Sequence, residues 1–345
     1  MEFSELILQW YNQNKRDLPW RDTANPYIIW LSEIILQQTR VAQGLPYFNK
    51  FLEAFPTVYD LASADEEVVL KLWQGLGYYS RARNLHQTAQ KIAFEHDGKF
   101  PDTYAELKKL KGIGDYTAAA IASFSFNEVV PVVDGNVFRV LARYFDMSTD
   151  ISTGSAKKEF FELSQKLISV SVPALYNQAI MEFGALQCVP KNPNCLDCIL
   201  NEKCLALQKR KVSELPVKRK KGDVKNRYFQ YLIFEDAQQQ TLIQKRTQKD
   251  IWHNLYEFPL IESENMLDFE VLKELVFKKF ETLKPKSLHS YENNVIVHKL
   301  SHQKLHIQFY HCTISEHISE GVPLNSLINF PFPIVIYNFI EKYSF

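Results

Sequence analysis

No apolar run in this 345-residue sequence approaches the length of a membrane span, which excludes a bilayer-crossing helix from the reading. The N-terminal stretch Phe3-Ser4-Glu5-Leu6-Ile7-Leu8-Gln9-Trp10 lacks the basic n-region and uninterrupted apolar h-region of a signal peptide, so a soluble, cytoplasmic protein is expected. Net charge is absent too, with 40 Lys+Arg against 40 Asp+Glu, and the balance argues neither for nor against a polyanionic partner. Internal repeats and low-complexity segments are missing. Cysteine is scarce: five residues, of which Cys188, Cys195, Cys198 and Cys204 crowd into one short segment. A disulfide framework is therefore not the expectation, and close thiolates in a reducing compartment point to a metal site.

What is present is an ordinary globular composition, 46% hydrophobic and 23% charged, in a chain long enough for two domains with real cores. Up to residue 208 the apolar spacing is helical. It predicts helices over 4–14, 27–39, 44–54, 65–74, 79–96, 103–110, 115–125, 136–145, 155–170 and 174–187, separated by Pro- or Gly-containing connectors. Residues 209–227 then hold 9 Lys/Arg against 2 Asp/Glu and read as a basic interdomain linker or a strap for phosphates. Beyond it the texture is α+β. Strands are expected at 228–234 and 241–245 around a polar turn, helices at 266–281 and 332–343, and a hairpin turning at Ser301-His302-Gln303. Cys312, alone in a strand, reads as core.

Chemistry concentrates in four places. Glu33 is the one charge in the apolar helix opened by Pro26, where desolvation would raise its pKa towards that of a general acid at neutral pH. A solvent-facing or arginine-paired glutamate is the alternative. Asp134, in Val133-Asp134-Gly135-Asn136, stands where a helix begins and reads as an N-cap whose amide bonds would keep the carboxylate ionised. Two carboxyls with separated pKa values suit cleavage of a glycosidic bond through an oxocarbenium-like transition state. Leu107-Lys108-Lys109-Leu110-Lys111-Gly112-Ile113-Gly114 joins two helices through a Gly-x-Gly turn that would let a phosphate approach backbone N–H groups. The four cysteines could ligate zinc or a [4Fe–4S] cluster, and the Cys-x6-Cys-x2-Cys-x5-Cys spacing favours iron–sulfur over the paired CxxC of zinc ribbons.

The order of hairpin, Val-Asp-Gly-Asn and four-cysteine motif resembles the helix–hairpin–helix DNA glycosylases of the endonuclease III superfamily. Leu18-Pro19-Trp20-Arg21, Ser32 to Thr39, and Gly75-Leu76-Gly77-Tyr78-Tyr79-Ser80-Arg81 resemble, within it, the A/G-specific adenine DNA glycosylases. The resemblance implies a multidomain protein. An all-α helix–hairpin–helix region over 1–208 would comprise a six-helix lobe at about 21–130 and a cluster lobe from 1–20 and 131–208. The linker 209–227 and a Nudix-like α+β domain over 228–345 would follow.

It implies a monomeric enzyme of the bacterial cytosol or nucleoid, acting on double-stranded DNA in base excision repair. The activity implied is excision of adenine mispaired with 8-oxoguanine or guanine. Glu33 would be the residue that protonates the base and handles water. Asp134 would stabilise the sugar cation, with Tyr116 and Asn136 in support. Relatives with lyase activity carry lysine at the position of Tyr116, so a monofunctional glycosylase is expected. Gln38 and Tyr78 would wedge into the base stack, Trp20 and Arg21 would wall the adenine pocket, and Lys191 would meet phosphate near a [4Fe–4S] cluster on Cys188, Cys195, Cys198 and Cys204. Gly112 and Gly114 would form the hairpin contact. Ser301 and His302 would contact the damaged base, although Leu300 departs from the family's phenylalanine. Leu255-Tyr256-Glu257-Phe258-Pro259 resembles the Nudix signature, while Leu260 to Glu264 lacks its acidic metal helix, so recognition rather than catalysis is expected there. A bifunctional pyrimidine-damage glycosylase/lyase and a non-enzymatic iron–sulfur DNA-binding protein are the rival readings.

Overall fold

A computed structural model describes residues 2–219, 224–291 and 295–343. Helices α1 (Phe3–Asn14), α2 (Pro26–Leu36), α3 (Val41–Ala54), α4 (Val58–Ser63), α5 (Glu66–Leu72), α6 (Ser80–Glu95), α7 (Tyr104–Leu107), α8 (Asp115–Phe126), α9 (Gly135–Tyr144), α10 (Gly154–Leu167), α11 (Pro173–Leu186) and α12 (Leu205–Gln208) precede the strands. The helices expected from apolar spacing form; the short α4 and α12 were not foreseen. No described helix is long and apolar enough to cross a membrane.

Local chemistry explains the element that matters most. Asn25 caps α2 by accepting the Tyr27 N–H at 2.9 Å, Pro26 occupies the first turn, and the eight residues Tyr27 and Ile29 to Ile35 are buried, as an all-round apolar helix requires. The helix stops at Leu36, three residues before the sequence pattern ends: Gln37 leaves helical geometry (ψ 116°) and Gln38 takes a left-handed backbone (φ 57°). Around α2 pack α3 and α8, and α11 packs on α1, α8 and α9. Phe3, Ile7, Trp10 and Tyr11 of α1 share a core with Val140 and Leu141 of α9 and with Tyr176 and Phe183 of α11.

The second architecture is α+β, with strands β1 (Lys225–Glu235), β2 (Gln240–Thr241), β3 (Gln244–Lys245), β4 (Tyr256–Glu257), β5 (Leu260–Ser263), β6 (Pro285–Ser290), β7 (Ile296–Lys299), β8 (Gln303–Ile314) and β9 (Val322–Pro323), and helices α13 (Phe269–Lys279) and α14 (Ile334–Tyr343). The main sheet runs β5-β1-β8-β6, and β7 also pairs β8. β1 lies parallel to β8 from Lys225↔Gln303 to Glu235↔Thr313. The near-continuous burial of β1 is what a strand covered on both faces needs. The expected hairpin at 300–303 forms, with Lys299 opposite Lys304. The strand expected at 228–234 forms within β1, flanked by β5 and β8, whereas the one expected at 241–245 is split: β2 pairs β9 and β3 pairs β4. Cys312 is buried in β8.

By packing, the chain forms two compact units, residues 1–63 with 84–220, and residues 64–83 with 221–345. The second unit takes in a stretch that the sequence reading placed in the six-helix lobe. Within that unit the Lys71 ammonium donates to the Ile328 carbonyl at 2.5 Å, the Gln74 amide to the Phe332 carbonyl at 2.7 Å and the Asn254 amide to Glu66 at 2.6 Å. The basic linker is partly neutralised where it is described, since Lys209 and Lys211 pair with Asp146 and Arg219 with Asp150. Residues 220–223 of the linker lie outside the described residues.

Candidate active site

Glu33 projects from the apolar α2 and is 7% exposed. Its Oε2 accepts the Tyr116 hydroxyl at 2.5 Å. Burial pushes the Glu33 carboxyl up to about 7; the Tyr116 bond and Arg21 pull it down, and the negative charge of Asp134 pushes it further up. Burial and both carboxylates drive the Tyr116 phenol far above its ordinary range, so it stays a hydrogen donor. The result is a proton available at neutral pH on a carboxyl fixed by one phenol.

Asp134 is the N-cap of α9 as expected. Oδ1 accepts the N–H groups of Asn136 and Val137, each at 2.8 Å, and Oδ2 accepts the Asn136 side-chain amide at 2.7 Å. These bonds favour the ionised carboxylate expected there, against the cost of burial. Burial outweighs them, and the Asp134 pKa is raised, with the donors and Arg139 tempering the rise. What separates the two carboxyls is bonding: Asp134 accepts three N–H donors suited to an anion, whereas Glu33 accepts one neutral phenol.

These groups border one cleft of about 1040 Å³, whose walls include Glu33, Gln38, Gly112, Gly114, Tyr116 and Asp134. Gly112 is required twice over, by its left-handed φ of 78° and because a Cβ there would meet the Asn84 Cβ at 2.7 Å. A Cβ on Gly114 would meet nothing, which leaves room for a ligand to approach the start of α8. The hairpin lysines are engaged: Lys108 pairs with Asp115, Lys109 with Glu106, and Lys111 donates to Gln87. Behind Glu33 lies a small cavity bordered by Trp20, Arg21, Ser32, Phe124 and Gln178. Trp20 is buried edge-on against Phe48.

Sequence reasoning missed the partner of Arg21. Glu182 is 1% exposed and accepts both Arg21 Nη2 (2.7 Å) and Arg16 Nη2 (2.6 Å). Burial alone would raise its pKa, but the bonds from Arg16 and Arg21 bring it down to about 2. It is the only charge in α11, the same signature that singled out Glu33. Arg139 was also missed. It is buried, and it donates to the Asn136 side chain (2.8 Å), the Gly184 carbonyl (2.6 Å) and the Cys188 carbonyl (2.7 Å). A Cβ on Gly184 would meet the Asn136 Cβ at 2.7 Å, so α9 and α11 touch beside Asp134. Buried arginines at 139 and 143 in an otherwise apolar helix were the available signal.

Cys188, Cys195, Cys198 and Cys204 border one pocket with Val140, Phe183 and Leu200. Arg143 donates to Cys188 Sγ at 3.4 Å and to the carbonyls of Val189 and Pro190. Burial, then the neighbouring cysteines, push the Cys198 thiol up to about 11. Among the described residues no three His, Cys, Asp or Glu side chains are grouped so as to hold a metal ion. Lys191 is exposed on this loop.

In the second unit, Tyr78 is exposed with a left-handed backbone (φ 49°), and its hydroxyl makes a very short hydrogen bond with Ser301. Both border a cleft of about 470 Å³ with Asp250, Trp252, His298 and His302. Leu300 is half-buried and its N–H donates to the Gln303 carbonyl at 2.8 Å, closing the turn. Gln38 and Tyr78, the two expected wedges, both hold a conformation uncommon for side-chain-bearing residues, a form of strain that collects at functional sites.

Residues 31–168 match the HhH-GPD superfamily of base excision DNA repair proteins, and residues 230–342 match the NUDIX domain. The chain is 36% identical over 310 residues to the adenine DNA glycosylase of Buchnera aphidicola subsp. Schizaphis graminum, covering 88% of this chain and 86% of that one. It is 43% identical over 216 residues to the human adenine DNA glycosylase, covering 60% of this chain and 40% of the human protein. Among solved structures, a thermostable thymine-DNA glycosylase superposes with a TM-score of 0.56 at 29% identity, over 60% of this chain and 95% of its own. An endonuclease III in a non-covalent DNA complex superposes at 0.52 and 21% identity, over 61% and 99%, and shares the fold. A helical HhH-GPD region followed by a NUDIX domain, with 36% identity to an adenine DNA glycosylase over most of both chains, places the chain in the adenine DNA glycosylase family of base excision repair enzymes.

Proposed function

We propose that the enzyme removes adenine lying opposite 8-oxoguanine or guanine in duplex DNA, by hydrolysis and without strand cleavage. The observation that supports this best is Glu33, held with a pKa of about 7 and bonded to Tyr116 in a cleft that also contains Asp134. The flipped adenine enters that cleft; extrusion costs a few kcal/mol of stacking. Neutral Glu33 donates its proton to N7 of the base, so that the bond from N9 to C1′ breaks with its electron pair passing to the ring. Ionised Asp134 offsets the positive charge growing on the sugar. Water adds to C1′, its proton returns to the Glu33 carboxylate, and adenine and an abasic site are released. Tyr116 carries no amine and forms no Schiff base, so the abasic strand stays intact.

The donor set suits a [4Fe–4S] cluster, since four cysteines ring one apolar pocket and soft thiolates favour such clusters. Cys188, Cys195, Cys198 and Cys204 would hold it. Bound there, it would supply structural cross-linking of the loop rather than redox chemistry, and Lys191 on that loop would meet phosphate. The Nudix-like domain recognises the base opposite adenine through Ser301 and His302, beside which Tyr78 wedges into the stack.

The test is single-turnover excision on duplexes bearing A opposite 8-oxoguanine, G and T. Release of adenine from the first two, without strand breakage and without a borohydride-trapped adduct, is expected. Trapped adduct, or equal cleavage of A opposite T, overturns the proposal.

A further inference from the structure

Arg227, in β1, is 9% exposed and sits behind the cleft that contains Tyr78 and Ser301 rather than in it. Its guanidinium lies over the Phe229 ring at 4.9 Å, and its donors reach three separate elements. Nε and Nη2 bind Glu262 of β5 at 2.6 and 2.8 Å, while Nη1 and Nη2 bind Asp250 at 2.9 and 2.7 Å. Nη1 also donates to the Gln303 side chain at 3.1 Å. A planar fork that engages two carboxylates side-on fixes both direction and distance, which a lysine cannot do.

Two of those partners begin the walls of the cleft. Asp250 opens the turn carrying Trp252, which holds a left-handed backbone (φ 60°) and packs its ring 5.9 Å from that of His298. Arg246 secures the same turn, donating to Asp250 at 3.0 Å and to the Ile251 carbonyl at 3.1 Å. Gln303 ends the turn Leu300-Ser301-His302, and the Lys225 N–H holds that turn from β1 by donating to the His302 carbonyl at 3.2 Å. One buried guanidinium thus ties the 250–252 turn, the 300–303 turn and the sheet edge into a single rigid frame.

We propose that Arg227 is a positioning residue for recognition of the base opposite adenine, acting by holding the Ser301-His302 turn in register with the Asp250–Trp252 turn. The inference rests on reading this cleft as the site for that base. Arg227 touches no substrate, and its effect is on discrimination between opposing bases, not on the chemistry at Glu33.

Arg227→Lys keeps the charge and removes the fork. The experiment compares single-turnover excision of A opposite 8-oxoguanine with A opposite G, alongside thermal unfolding of the full-length protein. The preference for 8-oxoguanine is expected to fall about tenfold, with the rate on A opposite G within about twofold of the parent. Gln303→Leu cuts only the arm to the 300–303 turn; it should lower the preference about threefold and decides the matter where Arg227→Lys does not fold. An unchanged preference in the folded variants, or an equal fall on both duplexes, overturns the role of Arg227. A parent enzyme that shows no preference for 8-oxoguanine overturns the reading of the cleft itself.

Discussion

Two glutamates in the helical unit meet the same sequence description and end in opposite electrostatic states. Glu33 and Glu182 are each the only charge of an apolar helix, and each is buried. Around Glu182, Arg16 and Arg21 supply charged donors within 3.0 Å, and the carboxyl is held at about 2. Around Glu33 burial dominates, the hydrogen-bond partner is a neutral phenol, Asp134 pushes the carboxyl up while Arg21 pulls it down, and it rises to about 7. Burial therefore does not by itself make an acid. Burial with the cation committed elsewhere does, and Glu182 is where Arg21 is committed.

The largest break in this comparison is Glu33→Gln. The amide keeps the shape and the Tyr116 contact but has no proton to give, so adenine excision should fall by about 10³-fold or more, with duplex affinity retained. Electrophoretic binding and single-turnover rates measure the two; retained activity would sink the assignment. The same variant reports on stability. Glu33 titrates near 4.5 unfolded and about 7 folded, so its favourable contribution is complete below about pH 4.5 and is lost as pH rises through 7. Between pH 5 and 8 the parent should lose stability relative to Glu33→Gln, by on the order of 3 kcal/mol, in urea unfolding at each pH.

Glu182→Gln breaks the other half. It leaves two arginines facing a buried neutral amide, and removing one partner of such a set costs about 3 kcal/mol of folding stability. The sign with pH is the reverse of that for Glu33. With a folded pKa of about 2, Glu182 stabilises fully above about pH 4.5 and loses that contribution as pH falls through 2. The gap between parent and variant should be flat from pH 5 to 8 and narrow below 4.5. A gap that widens towards low pH contradicts the pairing.

The comparison also marks how far the sequence could be read. The helices of the first unit, Pro26 opening α2, Asp134 capping α9 and the hairpin at 300–303 were legible because each follows from local periodicity or a local cap. The loneliness of Glu33 was legible, but not its difference from Glu182, because Arg16 and Arg21 reach α11 across some 160 residues of chain. Asp134 was legible as a cap, but the extent of its burial was not, since that depends on the packing of α9 against α11 at Gly184. The partners of β1 were not legible for a related reason. A strand buried on both faces takes its neighbours from β5 and β8, and nothing local to 228–245 announces them.

The smallest expected effect tests the bond that distinguishes the two environments. Tyr116→Phe removes the hydroxyl that lowers the Glu33 pKa while leaving the desolvation that raises it. Glu33 should therefore hold its proton to higher pH, and the alkaline limb of the excision rate should move upward from about 7. The rate at the optimum should fall by less than about tenfold, since the phenol orients the acid but donates no proton to the base. The single-turnover pH profile distinguishes this from a loss of shape, which would lower the whole curve without moving it. A limb displaced downward means that Tyr116 acts on Glu33 in some way other than by stabilising its anion. Near Glu182, Arg16→Ala should leave that limb where it is, because Arg16 is not among the groups acting on Glu33.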